Sequence, residues 1–162
     1  MTYEIERQTI ESSPVLFMAR RVEVNKIGDV LAEVLPTVFG YAMENGIEMT
    51  GPPFVRYVEF SPAFVSIQGG VSTATSADAP SDENDTQVGE LPGGTVARTI
   101  HRGPYDTLQE AHAAIDRWMA DEGITSAGAP WEVYLTDPGE VPDPNDWETE
   151  ILWPIKEIAD RG

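Results

Sequence analysis

Gly46-Ile-Glu-Met-Thr-Gly-Pro-Pro-Phe-Val-Arg-Tyr-Val58 and Gly123-Ile-Thr-Ser-Ala-Gly-Ala-Pro-Trp-Glu-Val-Tyr-Leu135 are two copies of one pattern, 77 residues apart. Gly, Ile, Gly, Pro and Tyr recur in register. Extended backward, the same offset lays Asp29 on Asp106, Leu31 on Leu108 and Glu33 on Glu110, making eight identities between residues 29 and 57. Similar pairs fill the gaps, among them Val38 with Ile115, Tyr41 with Trp118 and Phe54 with Trp131. Two amphipathic helices can share Leu and Glu by chance, but not a Gly-Ile step and a Gly-x-Pro loop in register. An internal repeat governs the fold.

Working outward, each copy reads as strand, helix, strand, strand. The leading strands are Val15–Val22 and Thr95–Ile100, rich in apolar and β-branched residues. The second helix carries the stripe Leu108, Ala111, Ile115, Trp118 and Met119, with Pro104 near its start, a Thr107/Glu110 capping-box spacing, and Gly123 to end it. The first helix carries Ile27, Leu31, Val34, Leu35, Val38 and Ala42, and Pro36 inside it should kink or split it. The closing strand pairs are Phe54–Phe60 with Phe64–Val71, and Trp131–Thr136 with Trp147–Ile155. The expected fold class is α+β: a duplicated βαββ unit with pseudo-two-fold symmetry, antiparallel sheets, two long helices and a groove between the copies. The division is 1–74, an acidic polar linker over 75–87, and 88–162.

Composition removes several functions. Against 28 acidic residues stand 10 basic ones, a net charge of −18, and only Arg20 and Arg21 are adjacent bases. Direct nucleic-acid binding needs a basic patch and is excluded on that ground, as is docking on anionic membrane lipid. An acidic surface of this kind suits solubility at high salt, and it would attract cations or a basic protein. Without cysteine there is no disulfide, thiol nucleophile or Cys-based zinc site, and a cytoplasmic address is expected. No run approaches a membrane span or a signal peptide. The carboxylates Asp137, Glu140, Asp143 and Asp146 lie in a Pro-rich loop whose spacing fits no EF-hand, so no metal is expected.

Strand alternation then selects the candidate site. In Trp131-Glu-Val-Tyr-Leu135, Trp131, Val133 and Leu135 share one face, expected to pack on the helices. Glu132 and Tyr134 share the other, expected to face the groove, with Val55 and Tyr57 at the matching positions of the first copy. Arg56 falls on the presumed packed face, which this account does not explain. Trp118 and Trp153 either line the cavity or fill the core, and core filling suits Trp118. A carboxylate among rings suits an organic cation, through charge pairing and cation–π attraction. No phosphate loop, dinucleotide fingerprint or nucleophile elbow is present.

The stretches Leu91–Leu108, Pro130-Trp-Glu-Val-Tyr-Leu-Thr-Asp-Pro138 and Thr149-Glu-Ile-Leu-Trp-Pro-Ile155 resemble the GyrI-like small-molecule-binding family. That family also supplies effector-binding domains of AraC-type and multidrug-sensing MerR-type regulators. The resemblance implies the duplicated βαββ (SHS2) architecture with its ligand groove, an acidic ligand contact at Glu132 with Tyr134 beside it, and an acidic position at Glu150. The regulators' N-terminal helix-turn-helix has no counterpart before the first family strand, which suggests the stand-alone form. Haem-binding relatives would use a histidine, but His112 flanks the helix stripe as structural histidines do, and no cofactor is expected. The leading expectation is a monomeric sensor or sequestering module for a hydrophobic, cationic small molecule, using Glu132, Tyr134, Tyr57, Val55, Trp153 and Glu150. The alternatives are a hydrolase of strained-ring (cyclopropanoid) compounds, with Glu132 as general acid or base and Tyr134 as hydrogen-bond donor, and a gyrase-inhibitor-type partner of a basic DNA-binding protein.

Overall fold

The Gly-Ile step that anchors the repeat closes a helix in each copy. Gly46 and Gly123 take left-handed backbone, with φ of 65° and 71°. The amides of Ile47 and Ile124 then donate to the carbonyls of Ala42 and Met119, both at 2.9 Å. Such a turn satisfies carbonyls the helix end leaves open, and it favours glycine because a Cβ is strained at positive φ. The structure, a computed structural model, describes residues 3–74, 86–137 and 139–156. The fold class is α+β, with two long helices and antiparallel sheets.

Two compact units divide the chain, one of residues 11–92 and one of residues 1–10 with 93–162. The first unit contains β2 (Ser13–Glu23), α1 (Ile27–Glu44), β3 (Met49–Phe60), β4 (Phe64–Thr73) and β5 (Gln87–Leu91). Its strands run in the order β3-β4-β2-β5, all antiparallel. Leu16, Met18 and Val71 of the sheet meet Val34, Val38 and Ala42 of α1 in a buried cluster. Each of these side chains except the small Ala42 contributes roughly 1.5–3 kcal/mol by leaving water. Gly69 is where helix and sheet come closest, since a Cβ there would lie 3.1 Å from Leu31 and 3.2 Å from Val34.

The second unit contains β1 (Glu6–Ile10), β6 (Gly94–Arg102), α2 (Leu108–Glu122), β7 (Thr125–Ser126), β8 (Trp131–Tyr134) and β9 (Glu148–Lys156). Its order is β1-β6-β9-β8, with β7 also on β9, again antiparallel. Ala97, Ile151 and Ile155 pack against Leu108, Ala111, Ile115 and Met119 of α2. Trp118 packs at the margin of this core under the Arg7 guanidinium, 5.3 Å above its ring. Two strands are exchanged along the sequence. β1 precedes the first copy yet pairs with β6, and β5 precedes the second copy yet pairs with β2. The linear division at residues 74 and 88 contains no such exchange. Of the acidic linker, residues 75–85 lie outside the described residues, and Gln87 opens β5.

Two local expectations change. Pro36 does not split α1, which runs without interruption from Ile27 to Glu44. Packing of Val34 and Val38 on the sheet holds it on both sides of the proline, and the Thr37 hydroxyl donates to the Glu33 carbonyl at 2.9 Å. The Thr107/Glu110 capping box does not form, because a 3-10 turn, Tyr105–Thr107, precedes α2. The Thr107 hydroxyl donates instead to the Pro104 carbonyl at 3.0 Å.

Candidate ligand-binding site

Glu132 is the centre of a polar cluster inside the second unit. It is 3% exposed, a rare condition for a glutamate without good hydrogen bonds. The Tyr134 hydroxyl donates to its Oε1 at 2.8 Å, and His112 Nε2 lies 2.7 Å from its Oε2. The Trp153 indole N–H donates to His112 Nδ1 at 3.1 Å. Four side chains from three elements are thereby joined: Tyr134 and Glu132 on β8, His112 on α2, Trp153 on β9.

Strand register explains the convergence and corrects the expected facing. Opposed residues of antiparallel strands put their side chains on the same side. Glu132 opposes Ile151 and Tyr134 opposes Thr149, while Ala97 opposes Trp153. Ile151 and Ala97 belong to the core beneath α2. Glu132 and Tyr134 therefore lie on the helix side of the sheet, not opposite it, and Trp131 and Val133 take the other side. Alternation alone assigned the apolar residues to the helix. The register reverses this, because β6 and β9 supply the apolar bed for α2 and β8 meets only its flank, where His112 projects.

A run of rings extends from Tyr134. Tyr105 packs on Tyr134 with centroids 5.4 Å apart and on Trp147 at 4.7 Å. Trp147 is anchored by its indole N–H to the Val141 carbonyl at 2.7 Å. Burial first, then the charges of Asp137 and Glu132, raise the Tyr105 phenol above its ordinary pKa of 10.0. Gly103, at φ 133°, makes the turn that delivers Tyr105 to this position. Tyr105, His112 and Trp147 were not among the residues selected from sequence. The available signal was the offset of 77 itself, which sets a polar His112 against an apolar Leu35.

The remaining candidates lie elsewhere. Glu150 opposes Val133, on the face away from Glu132, and is bonded to Arg98. Val55 and Tyr57 belong to β3 of the first unit, where they oppose Gly69 and Ile67. Since Gly69 abuts Leu31 and Val34 of α1, both are on the helix side of their own sheet. Val55 is fully buried and Tyr57 half-buried. Arg56 is on the reverse face, with burial lowering its pKa and its buried Nε lacking a hydrogen-bond partner.

The other histidine is built into the entry to α2. His101 is buried, with Tyr3 Oη 2.8 Å from Nδ1 and Thr107 Oγ1 3.0 Å from Nε2. In the loop before β9, Asp137 and Asp143 accept from the backbone amides of Gly139 and Asn145, closing their own turns. Among the described residues no cluster of three or more His, Asp or Glu is arranged to hold a metal, and no helix is long and apolar enough to cross a membrane.

Solved structures share this fold. The crystal structure of the EcmrR C-terminal domain matches with a TM-score of 0.83 at 22% identity, over 98% of this chain and 100% of that one. In an EcmrR–DNA complex, this chain spans 58% of the EcmrR chain. SAV2435, solved bound to tetraphenylphosphonium, matches with a TM-score of 0.63 at 12% identity, over 99% and 98% of the two chains. A hydrolase from Listeria innocua matches with a TM-score of 0.66 at 13% identity, over 94% and 92%. No curated protein matches the chain in sequence. The model of the GyrI-like small-molecule-binding domain matches residues 1–156, and with the duplicated strand–helix–strand–strand order this shows that the chain belongs to the GyrI-like family.

Proposed function

We propose that this protein binds a hydrophobic organic cation at Glu132, to sense or sequester it. The observation that carries the reading is a nearly fully buried carboxylate held by His112 and Tyr134, with Trp153 on His112 and with Tyr105 and Trp147 stacked in turn on Tyr134. A carboxylate gives a cation its counter-charge, and ring faces add attraction that a neutral ligand does not receive. Membership of a small-molecule-binding family supports it, as does a fold neighbour that holds tetraphenylphosphonium, a lipophilic cation. The cysteine-free chain suits a reducing compartment, and binding would take place in the cytoplasm.

Titration with tetraphenylphosphonium, followed by tryptophan fluorescence, tests the reading. Glu132→Gln should weaken binding by about 10–100-fold, the scale of a hydrogen-bonded charge. Equal affinity in the two proteins would remove Glu132 from the site.

A second reading, hydrolysis of a strained-ring compound, is favoured by the contact between Glu132 and His112 and by the fold shared with a hydrolase. There Glu132 would act as general acid or base, with Tyr134 donating a hydrogen bond. Product formation that Glu132→Gln abolishes would support it; binding without turnover would exclude it.

A further inference from the structure

Indole is a donor only, so the contact from Trp153 makes His112 Nδ1 an acceptor. The ring's hydrogen then sits on Nε2, where it points at Glu132 Oε2. A second proton, on Nδ1, would set two N–H groups against each other.

Acids face His112 from two elements. Glu132 touches it and Tyr134 reaches it through Glu132, both from β8. Tyr105 precedes α2 and packs on Tyr134, and Asp116 lies one turn further along α2. From β9 comes the uncharged Trp153. The Trp153 indole presents its N–H at Nδ1, where a second proton would sit.

We infer that Trp153 is a positioning residue: its indole N–H holds His112 as the neutral Nε2–H tautomer, so the imidazole gives Glu132 a hydrogen bond without a charge and the site selects cations over neutral ligands of the same shape. The inference rests on the proposed binding of a cation at Glu132. It differs from a ring-wall role for Trp153, which would contribute equally at any pH.

Nitrogen-15 NMR of the imidazoles in the full, ligand-free chain tests the tautomer without reference to binding. From about pH 8 to about pH 6, His112 should show an acceptor-type Nδ1 and a protonated Nε2. His112→Asn assigns the signals, and His101 provides a second buried imidazole for comparison. An Nδ1–H tautomer, or an imidazolium in this range, would overturn the inference.

Tetraphenylphosphonium titrations at the same two pH values test the consequence. Wild type should bind alike at both. Trp153→Phe should bind about fourfold more weakly near pH 6 than near pH 8, because an ordinary imidazole is then about three-quarters protonated. Adding His112→Asn should remove that pH dependence. A Trp153→Phe protein equally weak at both pH values would overturn the inference. Should wild type bind the cation at neither pH, the cation reading and the selectivity fail together, while the spectrum still decides the tautomer.

Discussion

The two units place different chemistry on matching backbone. In the second, Glu132, His112 and Trp153 form a hydrogen-bonded chain on the helix side of the sheet. The repeat offset sets Val55 and Leu35 at the first two positions of the first unit, and strand pairing sets Val71 at the third. Tyr57 and Tyr134 are common to both. Where the second unit buries a carboxylate, the first buries Val55 and Val71, at 0% and 1% exposure. The polar version exchanges apolar packing for a cluster that needs every partner in place, because a buried charge lacking one is costly. A duplicated framework can thus keep one copy apolar and build a buried polar cluster into the other.

Moving the charge across should have the largest effect. Val55→Glu puts a carboxylate where no histidine stands ready, and urea unfolding should show a loss of about 3–5 kcal/mol. Adding Leu35→His should restore about 1 kcal/mol; no recovery would mean the two frameworks are not interchangeable here. Next comes Gly70→Ala, at a position matched by Leu152 in the second unit. Its Cβ would fall 1.9 Å from the Leu16 carbonyl oxygen, and thermal or urea unfolding should show a loss of about 2–3 kcal/mol. The 10–100-fold affinity loss of Glu132→Gln, in the tetraphenylphosphonium titration, follows, and the same assay on a Val55 variant of conserved volume, Val55→Thr, should show a smaller change.

The smallest effect concerns pH. With its pKa raised, Tyr105 keeps its proton in the folded state at pH values where the unfolded chain has lost it. The stability it contributes is complete below pH 10.0 and is lost as pH rises through the folded-state value. Tyr105→Phe should therefore flatten the alkaline limb of the unfolding curve. In Glu132→Gln the Tyr105 phenolate should form at lower pH than in wild type, read by its ultraviolet absorbance, because one of the charges that raises it is gone.

Much of the architecture was legible in residue order. The Gly-Ile step, the stripe from Leu108 to Met119 and the β-branched strands report local geometry, which neighbours in sequence dictate. Glu132 and Tyr134 were legible as a polar pair on one strand face, but which face met the helix was not. Alternation says that two faces differ and is silent on which is covered. His112 was passed over because a helix-flank histidine carries no mark of its partner, 20 residues away.

The amino-acid sequence by itself determined the duplication, the α+β class, the helix ends at Gly46 and Gly123, and the acidic, cysteine-free character. Tertiary structure alone decided that β1 and β5 join the sheet of the other copy, that Pro36 is carried within an unbroken helix, and that Trp153, His112, Glu132 and Tyr134 meet. The reason is physical. Turns, caps and periodicity are set by interactions a few residues apart, whereas strand partners and buried hydrogen bonds depend on which distant surfaces exclude water together.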